Sequence, residues 1–136
     1  MKNLFLILSV LCLFSFSSKD NVVVNKENFQ STLIGKWEWT KSSGGKLGKE
    51  ITPISTNKII ILEISNDRIK FIENGQTIFD KSYTIQSKKS IYGGQKKEMI
   101  IYEQNSKPGQ SFEIKGSELI LNDECYDCFD HHYIKK

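Results

Sequence analysis

Turn signals punctuate this chain so closely from residue 42 to residue 128 that nothing between them is long enough for a crossover helix. Eight short segments remain, and their apolar residues alternate as in strands with one face buried. They cover residues 33–41, 58–64, 68–73, 77–85, 98–104, 110–115, 118–121 and 129–135. Asn74-Gly75 is the clearest break, because a two-residue hairpin turn needs positive φ at both central positions. Ser65-Asn66-Asp67, Pro108-Gly109 and Gly116-Ser117 mark further tight turns. Short connections force antiparallel neighbours. The expected fold is therefore all-β, an eight-stranded antiparallel up-and-down barrel, which closes on itself and leaves no sheet edge. An open sandwich is the alternative. Two connections are longer: residues 42–57, with Gly44-Gly45, Gly48 and Pro53, and residues 86–97, with Gly93-Gly94. Long loops in small domains tend to carry function.

Alternation nominates an interior: Ile60, Leu62 and Ile64; Ile69 and Phe71; Phe79, Tyr83 and Ile85; Met99 and Ile101; Phe112 and Ile114; Leu119 and Leu121; Phe129, His131 and Tyr133. Lys81 shares the face of Phe79 and Tyr83, so it either extends outward or marks a bulge. Trp37 and Trp39 share a face of the first strand. Trp37 is expected in the core, where a large aromatic closes one barrel end. Trp39 lies nearer mid-barrel, as core or as ligand wall.

The barrel segments do not begin at the N-terminus. Lys2 precedes a run from Leu4 to Phe16 whose only polar side chains are Ser9 and Ser15, and small residues follow at Ser15-Phe16-Ser17. Charge, then apolar run, then small residues is the order of a secretory signal peptide, and the run is too short to span a bilayer. Residues 1–18 are assigned to that signal, 19–30 to a polar segment and 31–136 to the barrel domain. The apolar run continues past Cys12, through Leu13-Phe14, so Cys12 is expected in the discarded segment. Only a lipid anchor on Cys12 would tie the protein to a membrane. The expected destination is the periplasm or the exterior, with an outer-membrane lipoprotein as the less favoured outcome.

Loss of Lys2 takes the net charge from +3 to about +2, too mild for a nucleic-acid partner. Arg68 is the lone arginine among 19 basic residues, which also disfavours bidentate phosphate recognition.

Removal of Cys12 leaves Cys125 and Cys128, in Cys125-Tyr126-Asp127-Cys128. An exported protein meets an oxidising compartment, and a turn brings positions i and i+3 within disulfide reach. A disulfide is therefore expected. So short a loop contributes about 2 kcal/mol or less through chain entropy, so its main effect is to fix the last hairpin. A redox role needs a low thiol pKa, whereas Asp123, Glu124, Asp127 and Asp130 crowd the pair with negative charge. A zinc site would draw on Cys125, Cys128, His131 and His132, but adjacent histidines in a strand point to opposite faces. No metal and no cofactor are expected.

A short helical turn followed by Leu33-Ile34-Gly35-Lys36-Trp37, a Gly-rich first connection from Gly44-Gly45 to Thr52-Pro53, and a last strand after an aromatic-rich Cys turn, Cys125 through Tyr133, occur in that order. This arrangement resembles the lipocalin superfamily of calycin barrels, and within it the small secreted lipocalin-like proteins of Bacteroidetes-type bacteria. The resemblance covers residues 30–136. It implies structural roles for Gly35 and Trp37. Typical lipocalins stack an arginine on this tryptophan. Arg68 lies in the third strand, so Lys135 is the cation left to stand in, without a guanidinium plane.

No Gly-x-Ser-x-Gly, His-Glu-x-x-His or phosphate-binding glycine loop is present, so no catalytic set is nominated. The expected function is non-catalytic binding of a small apolar ligand at the barrel mouth, with Trp39, Phe71, Tyr83 and Tyr102 as candidate wall residues. Tyr102 is the odd member, since it alternates against Met99 and Ile101. The rival is a filled barrel working through its surface on a protein partner, as an inhibitor or an envelope accessory protein.

Overall fold

The computed structural model describes residues 26–105 and 107–136. The signal assigned to residues 1–18, Cys12 within it, and the polar segment up to residue 25 lie outside the described residues. Helix α1 (Lys26–Leu33) leads into β1 (Gly35–Gly44), β2 (Lys49–Ile51), helix α2 (Pro53–Thr56), β3 (Ile60–Ile64), β4 (Arg68–Glu73) and β5 (Gln76–Lys89). β6 (Lys96–Tyr102), β7 (Gln110–Lys115), β8 (Glu118–Asp123) and β9 (Phe129–Lys135) complete the chain. Each strand from β3 onward pairs antiparallel with the next, β1 pairs with β3, and β1 also pairs with β9 from Trp37↔Lys135 to Gly44↔Phe129. Eight strands thus close into the antiparallel barrel that alternation predicts. β2 is an added rung on the far half of β1, in register Ser42↔Ile51 to Gly44↔Lys49.

One end is plugged. Leu33 ends α1 with no exposed surface, and its carbonyl accepts the indole N–H of the fully buried Trp37 at 2.8 Å. Gln30 Nε2 donates to the carbonyl of Asn66 in the β3–β4 turn at 2.7 Å, which ties α1 across the barrel end. Lys135 Nζ lies 5.1 Å from the Trp37 ring. The lysine therefore does stand where the resemblance places a cation, held by the ring's negative face. Gly35, at φ +142°, makes the turn from α1 into β1.

The core cluster joins Trp37, Leu62, Ile64, Ile69, Ile85, Leu119 and Tyr133 from six strands. Burial of each aliphatic side chain of this size stabilises by about 1.5–3 kcal/mol. In β6 the expected face is reversed: Ile100 and Tyr102 enter the cluster, opposite Ile85 and Tyr83. Met99 is buried outside it, opposite Ser111. Parity misled because Met99, Ile100 and Ile101 are all apolar. The 42–57 connection is also not a plain loop. It holds β2 and α2, the latter capped by reciprocal Thr52–Ser55 hydrogen bonds with Pro53 in its first turn. Half of the 86–97 connection is strand, since β5 runs to Lys89 and β6 starts at Lys96; its exposed polar residues carry no alternation.

Cys125 and Cys128 are bonded, with Cα atoms 5.6 Å apart. Their turn sits against the end of β1, where Gly45 N–H donates to the Cys128 carbonyl at 3.0 Å. A Cβ on Gly44 would lie 2.2 Å from that carbonyl oxygen, and Gly44 has φ +145°. The glycine pair therefore lets the two segments touch. A Trp37→Ala variant is expected to lose about 3–5 kcal/mol in denaturant unfolding, as large aromatic truncations in cores do. A loss under about 1 kcal/mol would mean that Trp37 does not hold the plugged end together.

Candidate functional site

Towards the end away from α1 the interior is not filled. A pocket of about 180 Å³ lies among Leu62, Ile69, Phe71, Phe79 and Leu121 on its apolar side, with Tyr102, Lys107, Gln110, His131 and Tyr133 bringing polar atoms to it. The apolar wall follows from β3, β4, β5 and β8 alternation. Phe79 reaches it through a bulge: Phe71 pairs with Phe79 but Ile72 pairs with Thr77, so Ile78 is the extra residue and is exposed. Beyond that bulge Lys81 pairs with Ile69 on the core-facing register and is half-buried.

The polar side is a continuous hydrogen-bond chain. Tyr102 Oη donates to Gln110 Oε1, and Gln110 Nε2 donates to Asp123 Oδ1. The other Asp123 oxygen is 3.2 Å from His131 Nε2, and His131 Nδ1 is 2.7 Å from Ser42 Oγ. Trp39 Nε1 donates to Ser42 Oγ at 2.8 Å. With a proton on His131 Nε2 every member is engaged: Trp39 donates to Ser42, His131 donates to Asp123, and Ser42 Oγ and His131 Nδ1 share a hydrogen bond. Buried polar chains of this kind are stable only when complete, and no buried side-chain nitrogen or oxygen among the described residues lacks a partner.

Burial alone would raise the Asp123 carboxyl. The hydrogen bond and charge of His131, the hydrogen bond from Gln110 and the charge of Lys107 outweigh it and hold the pKa below the ordinary value. Burial pushes the Tyr102 and Tyr133 hydroxyls up, with Asp123 adding to both. Lys107 reaches in from the segment between β6 and β7. Its ammonium lies 4.6 Å from the centroid of Tyr102 and 5.8 Å from that of Phe79. Burial lowers its pKa, against the opposing pull of Asp123.

Serine, histidine and aspartate are in hydrogen-bond order here, the order of a nucleophile, base and orienting acid. Ser42 is 5% exposed and does not line the pocket, so an electrophile in the cavity meets His131 and not the hydroxyl. Asp123, Cys125 and Cys128 present ligand atoms within 4.8 Å of one another. The sulfurs are bonded to each other, which removes the thiolates a metal would need. His131 and His132 face opposite ways as alternation predicts, His131 to the interior chain and His132 Nδ1 to Glu118 Oε1 at 3.0 Å.

Of the candidate wall residues, Phe71 and Tyr102 line the pocket and Tyr102 stands at its polar side. Trp39 and Tyr83 do not line it. Trp39 is two hydrogen bonds behind His131, through Ser42. Tyr83 points the other way, its hydroxyl donating to the Ser65 carbonyl in the β3–β4 turn at 2.7 Å. Gln110, Asp123, Lys107 and Ser42 were not nominated by sequence. Extending the parity of Phe112 and Ile114 back to 110, and of Leu119 and Leu121 on to 123, would have found the first two. Comparison with known protein families, with curated proteins and with solved structures found no match.

The depressed Asp123 pKa has a sign in stability. Its contribution is fully present above the unfolded value of 3.8 and is lost as pH falls through the lower folded value. In denaturant unfolding from about pH 6 to about pH 2, the native protein is expected to lose stability more steeply below about pH 4 than an Asp123→Asn variant. Equal acid slopes would show that Asp123 is not held in this network.

Proposed function

We propose that this chain is a secreted, non-catalytic binding protein of the lipocalin-like kind that holds one small, mainly apolar molecule inside its barrel. The observation that carries the reading is the pocket between Leu62, Ile69, Phe71, Phe79 and Leu121, closed on its other side by Tyr102, Lys107, Gln110, His131 and Tyr133. Apolar walls with a few convergent polar groups are the usual make-up of a small-molecule site. Its volume, about 180 Å³, falls below the roughly 300–1,000 Å³ of sites for drug-sized ligands. It is close to the roughly 150 Å³ of an apolar cavity that takes benzene. The ligand is therefore a single ring or a short chain. Export is supported by the order of Lys2, the apolar run from Leu4 to Phe16 and the small residues after it. A Cys125–Cys128 disulfide suits an oxidising compartment.

A second reading, a module that docks on a protein partner, is favoured by Leu47, Ile54 and Ile59. They are 94%, 95% and 63% exposed on the segment that joins β1 to β3. Side-chain methyl resonances separate the two readings. Toluene is expected to shift the methyl signals of Leu62, Ile69 and Leu121 and to leave Leu33, at the plugged end, unmoved. Unshifted pocket methyls at saturating toluene would turn the assignment to the surface module.

A further inference from the structure

Among the described residues, two polar groups at the pocket make no hydrogen bond and no ion pair. Tyr133 is 3% exposed and lines the cavity. Its hydroxyl makes no hydrogen bond among the described residues, yet it is not one of the sealed, unsatisfied atoms, since none exist. The oxygen therefore opens into the pocket. Lys107 lines the same cavity, and its ammonium meets only the faces of Tyr102 and Phe79, with no hydrogen bond or ion pair among the described residues. The other polar side chains on the wall are already engaged: Tyr102 with Gln110, Gln110 with Asp123, and both nitrogens of His131 with Asp123 and Ser42. A hydroxyl donor and a cationic donor are thus left for whatever enters. Both call for an acceptor, and the cation calls for negative charge.

We propose that the pocket takes a small monocarboxylic acid, its carboxylate between the Lys107 ammonium and the Tyr133 hydroxyl and its apolar body against Phe71, Phe79 and Leu62. The inference rests on the binding reading given above and names its ligand class. One lysine matches one negative charge. A phosphate dianion would need more cations, and the lone arginine, Arg68, is committed elsewhere, to Asp80 at 2.8 Å. Asp123, the acid that would repel such a ligand, is not on the wall. Its two oxygens are taken by Gln110 and His131, which stand between it and the cavity. Lys107 is half-buried with its ammonium beside the rings of Tyr102 and Phe79, and an ion pair is stronger there than in open water.

Benzoate, benzyl alcohol and toluene, titrated into the purified protein at neutral pH, test this directly. Benzoate is expected to bind at least about tenfold more tightly than benzyl alcohol, which has nearly the same size and no charge. Lys107→Met is expected to abolish that preference while toluene still binds, so that toluene reports an intact pocket. Lys107→Arg is expected to retain the preference, and Tyr133→Phe to weaken benzoate by about threefold or more. Toluene binding with no preference for benzoate would overturn the acid and leave the pocket standing. A benzoate preference that survives Lys107→Met would overturn the assigned cation. Failure of all three probes to bind would overturn the binding reading itself, and the acid with it.

Discussion

Closure of the sheet by β1 against β9 is what gives this chain an inside. Without that pairing β1 and β9 would each present an open edge, and the residues between them would line an open trough. The closing seam also carries an irregularity with large consequences. Trp39 pairs with Tyr133, but Lys41 pairs with His132, so Thr40 is the extra residue. A bulge reverses the alternation downstream of it. Trp39 and Ser42 consequently both face inward, and Ser42 meets His131 across the barrel wall. The seam is fastened at both ends: Lys135 sits over Trp37 at one, and Gly44 lies against the Cys128 carbonyl at the other.

Within the barrel the two ends differ in kind. At the α1 end Trp37, Leu33 and Ile64 are all but sealed from solvent, and the one indole donor there is satisfied by a backbone carbonyl. At the other end polar side chains replace apolar ones on the inward register: Ser42, Gln110, Asp123, His131. Burying such groups costs free energy unless each is bonded. The chain from Trp39 to Tyr102 meets that requirement without help from outside. Tyr133 and Lys107 stand at its edge and are left over. The pocket lies where a filled apolar core meets a completed polar network, and its two spare donors mark the boundary.

Much of this was legible in the residues. Strands β4, β7 and β9 run over the ranges that turn residues and alternation set, and Asn74-Gly75 makes the hairpin that its chemistry demands. The burial of Trp37 and the Cys125–Cys128 bond were also legible, from a large aromatic early in the first strand and from an i, i+3 spacing. What failed to show did so for physical reasons. Ser42 is inward because of a bulge, and bulges leave no signal in a polar run such as Thr40-Lys41-Ser42. Three consecutive apolar residues in β6 erased the parity that would have put Tyr102 inside. Lys107 belongs to a connection, where no alternation applies and only the folded chain shows what a long side chain reaches. Spacing alone makes the acidic neighbours of the cysteines repulsive charge, whereas Asp123 is drawn inward and its carboxylate is held by hydrogen bonds from Gln110 and His131. Glu124 is held by Ser90 and by the backbone N–H of Ile91, from the β5–β6 hairpin tip.

The central claim is that a barrel closed by β1 and β9 encloses a hollow of ligand size beside Lys107 and Tyr133. A crystal pressurised with xenon addresses it most directly, because xenon enters dry apolar cavities of this size without needing any particular chemistry. The expected result is one anomalous peak inside the barrel, in contact with Leu62, Ile69, Phe71, Phe79 and Leu121. No peak inside the barrel, with those side chains packed against one another, would contradict it and leave a filled core with nothing to hold.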